Sequence, residues 1–470
     1  MRILLVAHAL PPDTYGGTEL YTARLAEAFA TVHDVTVAVP DERGAAAADL
    51  RGAAVVGLPT PTTQPEDGVA VDPSAGVAQS SVDAAFADLL AAFRPDVVHF
   101  QHLKGLSSRL PRICEVRGVP RVLTLHDFWT VCHREQLRRP DGALCSGPTC
   151  VGKCARCYAD VVGRAVEGTS GSGGDASEGD GTGGGGDGGG SPNGRSADDR
   201  PPGAGDGEAA FAAFADPVAR RTARLDDALD AASLLVSPSA FLRERFVSFG
   251  VSSGDVVHVR NGIRADDYRD EGFDPDGPIR FGYAGRLVEE KGVHDLIRAF
   301  RGVEGDVSLD VYGRFDPGAN GYHARLAEAA DDDRVTFRGY YDDPAEPFAA
   351  ADVFVLPSTW YENSPLVIQE AFASGTPVVT ADRGGMAELV TDGVDGLTFD
   401  PGSVDSLRRR LRSLAADPRR VVRLREGVEP PKRLSTHADE LLDVYAGLRR
   451  GDRPTRDAAG GDGRVEVSDR

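Results

Sequence analysis

Apolar residues along this chain gather in short continuous runs, separated by longer stretches in which they return every three or four positions. Short runs rich in Val, Ile and Leu read as strands buried on both faces, and the periodic stretches read as helices packed over them. In the first half, strands are predicted near residues 3–7, 35–39, 55–58, 96–100, 122–125 and 234–236, with helices near 19–30, 82–93, 106–116 and 208–231. In the second half, strands near 279–283, 307–312, 335–339, 353–356, 377–380 and 396–399 alternate with short helices. This alternation implies α/β layers built on parallel sheets. Two such series imply two Rossmann-like, doubly wound domains facing a cleft.

The pattern also divides the chain. Residues 1–162 and 208–262 are expected to form a first domain and residues 263–434 a second, with a helix over 435–450 that is free to pack back on the first. Residues 163–207 are different material, running through Gly168-Thr169-Ser170-Gly171-Ser172-Gly173 into further glycine repeats. Without apolar anchors such a stretch does not offset its ordering entropy and is expected to stay disordered, as are residues 451–470.

Bulk properties narrow the function classes. At 470 residues the chain is too long for one ordinary core, and 41% hydrophobic with 27% charged residues fits globular domains. A formal net charge of −21 argues against broad nucleic-acid binding and against electrostatic attachment to an anionic bilayer. Lysine is nearly absent: Lys104, Lys153, Lys291 and Lys432 stand against 48 arginines. A salt-rich interior, where charges are screened within about 3 Å at 1 M, fits this acidic surface; a GC-rich codon bias fits the arginine preference. The opening Met1-Arg2-Ile3-Leu4-Leu5-Val6-Ala7 is cut short by Pro11-Pro12-Asp13, so it does not read as a signal peptide. No stretch reaches the roughly 20 apolar residues that span a bilayer. The expectation is a cytoplasmic protein with at most transient peripheral membrane contact.

Candidate chemistry collects at the carboxyl ends of predicted strands, where open α/β sheets bind ligands. Gly16-Gly17 follows the first strand, and His126-Asp127 closes the strand at 122–125. Arg286 and Lys291 follow 279–283, Gly313 follows 307–312, and Glu362 follows 353–356. The most informative segment runs from Pro357 through Glu362-Asn363-Ser364-Pro365-Leu366 to Glu370 and Gly375. Ser364 is expected to cap a helix with Pro365 at its first position and Gly375 beyond its end, which would aim the Asn363–Leu366 amides at a phosphate. Glu362 and Glu370 are then about 12 Å apart along the axis. They are too far apart to share a proton, and read either as grips on two ends of a long ligand or as a capping and an ordinary helical glutamate. Arg286 offers a planar fork and Lys291 a point charge, suited to a diphosphate or to a surface flanking a helix start. His126 alone reads as a satisfied buried histidine or as a reactive one, with Asp127 orienting it or capping the next turn. His99 and His102 are acceptor-side candidates.

This segment resembles the E-x7-E element of the retaining family 4 glycosyltransferases, which have the GT-B fold. The resemblance extends through Gly16-Gly17, His126, Asn261-Gly262, Gly285-Arg286, Lys291-Gly292, Tyr312-Gly313 and residues 335–339. It implies transfer of a hexose from a nucleotide-diphosphate donor (UDP-, GDP- or similar) to a hydroxyl of a glycan, a lipid-linked sugar or a small molecule, with retention. By the same resemblance Glu370 holds the ribose and Glu362 the transferred sugar, Arg286 and Lys291 bind the diphosphate, Gly17 approaches it, and His126 sits near the reaction centre. Gly16, Gly313, Asn363, Ser364 and Leu366 complete the donor set. No cofactor is required. A GT-B nucleotide-sugar epimerase or a non-catalytic nucleotide-sugar-binding protein are the alternatives.

Five of six cysteines fall in one window: Cys132, Cys145, Cys150, Cys154 and Cys157. A reducing cytoplasm favours a metal or free, redox-active thiols over disulfides. Four thiolates would satisfy a structural zinc that staples an irregular loop over 128–157 and shapes the acceptor pocket. The Cys150-x3-Cys154-x2-Cys157 spacing also matches a radical-SAM cluster motif, but that motif follows the first strand of a barrel.

Overall fold

The computed structural model describes residues 1–12, 16–40, 50–60, 72–74, 77–170, 206–318 and 320–452, with side chains of 163–170 and 206–212 left aside. Thirteen strands form two sheets. The first contains β1 (Arg2–Val6), β2 (Asp34–Pro40), β3 (Ala54–Leu58), β4 (Val97–Phe100), β5 (Arg121–Thr124), β6 (Leu234–Ser237) and β7 (Val256–His258), in the order β3-β2-β1-β4-β5-β6-β7. The second contains β8 (Ile279–Ala284), β9 (Val307–Tyr312), β10 (Val335–Gly339), β11 (Val353–Leu356), β12 (Val378–Ala381) and β13 (Gly396–Phe399), in the order β10-β9-β8-β11-β12-β13. Every strand pairing within the two sheets is parallel.

Alternation along β1 explains why its neighbours must cover both faces. Leu4 and Val6 enter one core with Phe86, Phe100 and Leu123, whereas Ile3 and Leu5 enter another with Phe29, Val37 and Val122. The second domain packs around Phe281, Tyr283, Leu309, Phe354 and Ile368. The helix Leu434–Arg450 returns to the first domain, where Ala438, Leu441 and Tyr445 join the core of Ile3 and Leu5. Its polar groups are satisfied there too. Tyr445 bonds His99 Nδ1 at 2.5 Å, and His437 Nε2 meets the Tyr21 hydroxyl at 2.7 Å.

Three expectations need correction. The window of cysteines is not irregular throughout, because Val151–Ser170 is a helix. It is held against the helix Asp206–Ala231 by Ala155, Tyr158 and Val218, a tertiary contact that single-chain periodicity does not reveal. Residues 163–170 and 206–207, assigned to the disordered insertion, are therefore helical extensions of an anchored pair; residues 171–205 and 453–470 lie outside the described residues. Finally, the helix expected over 106–116 is only Leu110–Val116, with Pro111 in its first turn.

Burial holds the His99 and His437 rings neutral, moving both pKa values down to about 3 from the usual 6.5. The unfolded chain takes up these protons as pH falls through its own value, while the native chain does not, so stability falls with acidification. Between about pH 6.5 and 5 ordinary carboxylates stay mostly ionised in both states, so this slope reports mainly the buried histidines. The melting temperature should drop steadily across that interval; a flat profile would contradict the neutral, buried assignment.

Candidate active site

In open parallel sheets a crevice forms beyond the carboxyl ends of the two strands at which the order reverses. Here these are β1 and β4 in the first sheet, and β8 and β11 in the second. The chain leaving β1 carries His8, Gly16 and Gly17; that leaving β4 carries Gln101 and His102; and β5 runs into His126 and Asp127. On the other side β8 runs into Gly285 and Arg286, and β11 into Ser358, Trp360 and Glu362.

Glu362 anchors the second-domain side. Its Oε1 accepts from Lys291 Nζ at 2.6 Å, Ser358 Oγ at 2.7 Å and Trp360 Nε1 at 2.8 Å. Burial alone would raise its pKa, but the Lys291 charge and these hydrogen bonds outweigh burial and hold it below the ordinary value. The Lys291 ammonium also lies 5.4 Å from the Trp360 ring centroid. Arg286 is exposed. Gly313 packs beneath this turn, since a Cβ there would come within 2.2 Å of the Gly285 carbonyl oxygen.

Glu370 stands on the helix Leu366–Ala373 and accepts from Arg24 of the first domain at 3.2 Å. Tyr268 adjoins both. The start of this helix differs from expectation. Ser364 does not cap it; its Oγ is buried without a partner, and Pro365 occupies the capping position with extended backbone (ψ 116°). The reason is that residues 362–363 are already held elsewhere. The Glu362 carbonyl accepts from Gly385 N at 2.9 Å, and a Cβ on Gly385 would overlap the Asn363 carbonyl oxygen at 1.3 Å. Leu366 packs against apolar residues of both domains, so this helix start faces the first domain.

Asn363 has a role that the sequence did not suggest. Its Nδ2 donates to the carbonyls of Leu125 (3.1 Å) and His126 (3.0 Å), while its Oδ1 accepts from Ser239 Oγ at 2.6 Å. One side chain therefore joins the two domains at the end of β5. Glu388 strengthens the same junction by accepting from the Ala240 and Phe241 amides at the start of the helix Ala240–Ser248.

On the first-domain side, His126 Nε2 meets Gln101 Oε1 at 2.9 Å, and its ring lies edge-on to Tyr21 at 5.2 Å. Burial, helped by nearby His102, lowers its pKa to about 3 against the opposing pull of Asp127. The ring is neutral at working pH. Asp127 does not orient it. Its Oδ1 accepts from Trp129 N at 2.7 Å, capping the turn, and its Oδ2 meets His102 Nε2 at 3.3 Å. His102 Nδ1 accepts from Lys104 N at 3.0 Å, which leaves the proton on Nε2. His8 lies 4.6 Å from His102 between ring centroids, and its Nε2 is 3.2 Å from Glu19 Oε1. Burial pushes the Glu19 carboxyl up, but His8, with a further contribution from Arg286 across the cleft, brings it below its ordinary value. Gly16 lies under the Glu19 carboxylate, whereas Gly17 faces open space. His99 is a core residue, bonded to Tyr445 and Thr124, and not an acceptor-side group.

The cysteines divide. Cys132 and Cys145 lie in the turns after Asp127, Cys154 and Cys157 on the helix Val151–Ser170, and Cys150 is exposed just before it. Among the described residues no three His, Cys, Asp or Glu groups are already drawn together tightly enough to hold a metal ion.

Two parallel α/β domains whose ligand crevices face one another define the GT-B class. Residues 265–429 match the glycosyl transferases group 1 family and residues 15–145 match glycosyltransferase family 4. The chain belongs to the family 4 glycosyltransferases. It is 33% identical over 235 residues to a glycogen synthase of Mycobacterium tuberculosis, covering 47% of this chain and 55% of that one. It is 37% identical over 142 residues to a lipopolysaccharide core biosynthesis glycosyltransferase of Rhizobium meliloti, covering 30% and 41%. The chain thus spans about half the length of the curated relatives it matches. Among solved structures, Anabaena HepE in complex with UDP-glucose superposes with a TM-score of 0.60 at 17% identity, covering 95% of this chain and 100% of that one. Sucrose-phosphate synthase from Thermosynechococcus elongatus gives 0.64 at 19% identity, covering 96% and 100%. No helix among the described residues is long and apolar enough to cross a membrane.

Arg24, Gln101, Ser358, Trp360 and Gly385 join the site although sequence reasoning passed over them. Ser358 and Trp360 lay within the quoted segment, and the spacing to Glu362 was the available signal. Arg24 and Gly385 act across tertiary contacts and left none. Asn363→Ala should open the cleft, since it strands two carbonyls and a hydroxyl at a cost of about 1–3 kcal/mol each. Small-angle scattering should then show a larger radius of gyration; an unchanged radius would remove Asn363 from this role.

Proposed function

We propose that this protein transfers a hexose from a nucleoside-diphosphate donor to an acceptor hydroxyl, with retention of anomeric configuration, in the cytoplasm. The observation that carries the reading is the Lys291–Glu362–Ser358–Trp360 cluster at the reversal point of the second sheet, with exposed Arg286 beside it and Gly16-Gly17 opposite. Such a site has fixed cations on one side and a close-approach glycine turn on the other.

In this reading Arg286 and Lys291 take the diphosphate. As the C1–oxygen bond breaks, its electron pair stays with the diphosphate, and these cations stabilise the growing charge without reorganising. The acceptor oxygen forms the new bond to C1 on the same face, and its proton passes to the departing phosphate oxygen. Glu362, kept ionised, faces the sugar and the positive charge developing at C1. Glu370, steadied by Arg24, accepts from the ribose hydroxyls. His126, neutral and tied to Gln101, presents a polar ring to the sugar and not a charge. The acceptor, a glycan, lipid-linked sugar or small metabolite, enters from the first domain past His8 and His102. Relatives acting in glycan synthesis and a structural neighbour holding UDP-glucose support this reading.

Purified protein should be screened with UDP- and GDP-sugars by thermal shift, and the stabilising donor then assayed for nucleotide release with and without acceptors. Release should require the acceptor and fall about 10²–10³-fold in Arg286→Ala. Glu370→Ala should abolish donor stabilisation. Acceptor-independent interconversion of nucleotide sugars would make the protein an epimerase, and binding without release would make it a non-catalytic subunit.

A further inference from the structure

The cysteine-bearing segment is unused by the site just described, yet it is built with care for sulfur. Backbone N–H groups of Arg134 and Leu137 point at the Cys132 sulfur, and Gly147 N–H lies 3.5 Å from Cys145 Sγ. In both cases the residue two positions on supplies a donor, an arrangement that favours a sulfur carrying negative charge. The two turns are tied together by Cys145 N to Leu137 O at 2.6 Å and by the Arg138–Leu144 bridge. Gly147 is pinned there at φ +116°, and a Cβ would meet the Phe249 ring at 2.2 Å. Cys154 and Cys157 follow in the first two turns of a helix, one turn apart and so on one face, where the helix start adds positive potential.

These four are mutual neighbours: each of the six possible pairs among Cys132, Cys145, Cys154 and Cys157 interacts electrostatically. Cys150 is exposed and Cys114 lies apart in the core. A second observation points the same way. Arg221 is 6% exposed, its guanidinium lies over Trp129 at 5.4 Å and donates to the Trp129 carbonyl, and among the described residues no carboxylate pairs with it. A buried cation needs an anion beside it. The Cys132 and Cys154 sulfurs act on it electrostatically, as does the Glu135 carboxylate, which is itself paired with Lys104.

We propose that Cys132, Cys145, Cys154 and Cys157 bind one structural zinc ion as a tetrathiolate, with Arg221 as its buried counter-charge. Four thiols exchange four protons for the metal, leaving a site of charge −2 that Arg221 partly balances. The metal draws the four side chains inward from backbone turns that are already set.

The staple has a mechanical reach. Arg138, inside the closed loop, forms a 3.3 Å ion pair with Glu290 of the second domain, next to Lys291. The Glu290 carbonyl in turn accepts from Thr359 N at 2.9 Å. Fixing the loop therefore fixes a contact onto the proposed diphosphate segment, an effect that rests on the transferase reading, whereas metal binding itself does not.

The test begins with the full chain purified under reductant without chelator. Elemental analysis should find about one zinc per chain, and cobalt replacement should give the visible bands of a tetrahedral thiolate site. Cys132→Ser and Cys157→Ser should lose the metal, while Cys114→Ser and Cys150→Ser keep it. Arg138→Ala should keep zinc but raise the donor KM about fivefold. If the cysteine variants do not fold, the cobalt spectrum of the unaltered chain decides alone. Absence of metal with all six thiols titrating, a mapped disulfide, or a coloured iron–sulfur centre would each overturn the zinc site; retained zinc with unaltered donor KM in Arg138→Ala would overturn only the mechanical link.

Discussion

The side-chain amide of Asn363, with Glu388 beside it, joins the carboxyl edges of two independently wound sheets, and the site exists only because those edges meet. Each sheet alone offers half of a crevice. Its donors go to the last carbonyls of the strand that carries His126, and its acceptor takes a hydroxyl from the first domain. Because Asn363 directly follows Glu362, the group that ties the domains also sets the distance from the Lys291-bound carboxylate to the first-domain histidines. Phe128 meets the Tyr361 ring edge-on and Phe241 lies tilted against it, so aromatic packing of both domains adjoins the tie.

Electrostatics follow from this frame. The chain is strongly acidic overall, yet its cleft gathers Arg24, Arg286 and Lys291 around two glutamates. The carboxylates there are partnered, and the exposed Arg286 is the cation most available to an arriving anion. Both histidines nearest the junction differ from one another in a useful way. His126 is stripped of charge by burial, while His102 has its tautomer fixed by a backbone donor and a carboxylate. A cleft arranged like this receives an anionic ligand without first rearranging its own charges.

Much of the fold was legible because parallel strands buried on both faces announce themselves as apolar runs, and all thirteen strands except β7 lie within a residue or two of the expected positions. β7, only three residues long, was not among the predicted strands. Placement of chemistry at strand ends was legible for the same reason. What the sequence concealed was every assignment that depends on a partner distant in the chain. Ser364 looked like a cap, but the backbone before it is held by Gly385 and the first domain. Asn363 looked like a phosphate ligand and is a domain tie. The helix after Cys150 was hidden because its stabilising partner, Asp206–Ala231, lies on the far side of a glycine-rich stretch.

The return of Leu434–Arg450 to the first domain also bears on how the protein is made. Tyr445, wholly buried, fills the space between Phe29 and His99, and Leu441 lies in the same apolar layer. That layer stays open while the ribosome is still translating the second domain, even though every strand of the first has long emerged. The nascent chain must carry an unfilled groove on its earlier half while the second domain is made, a window in which chaperones or premature self-association compete for it. Completion of the first domain thus waits on a helix translated after the whole of the second.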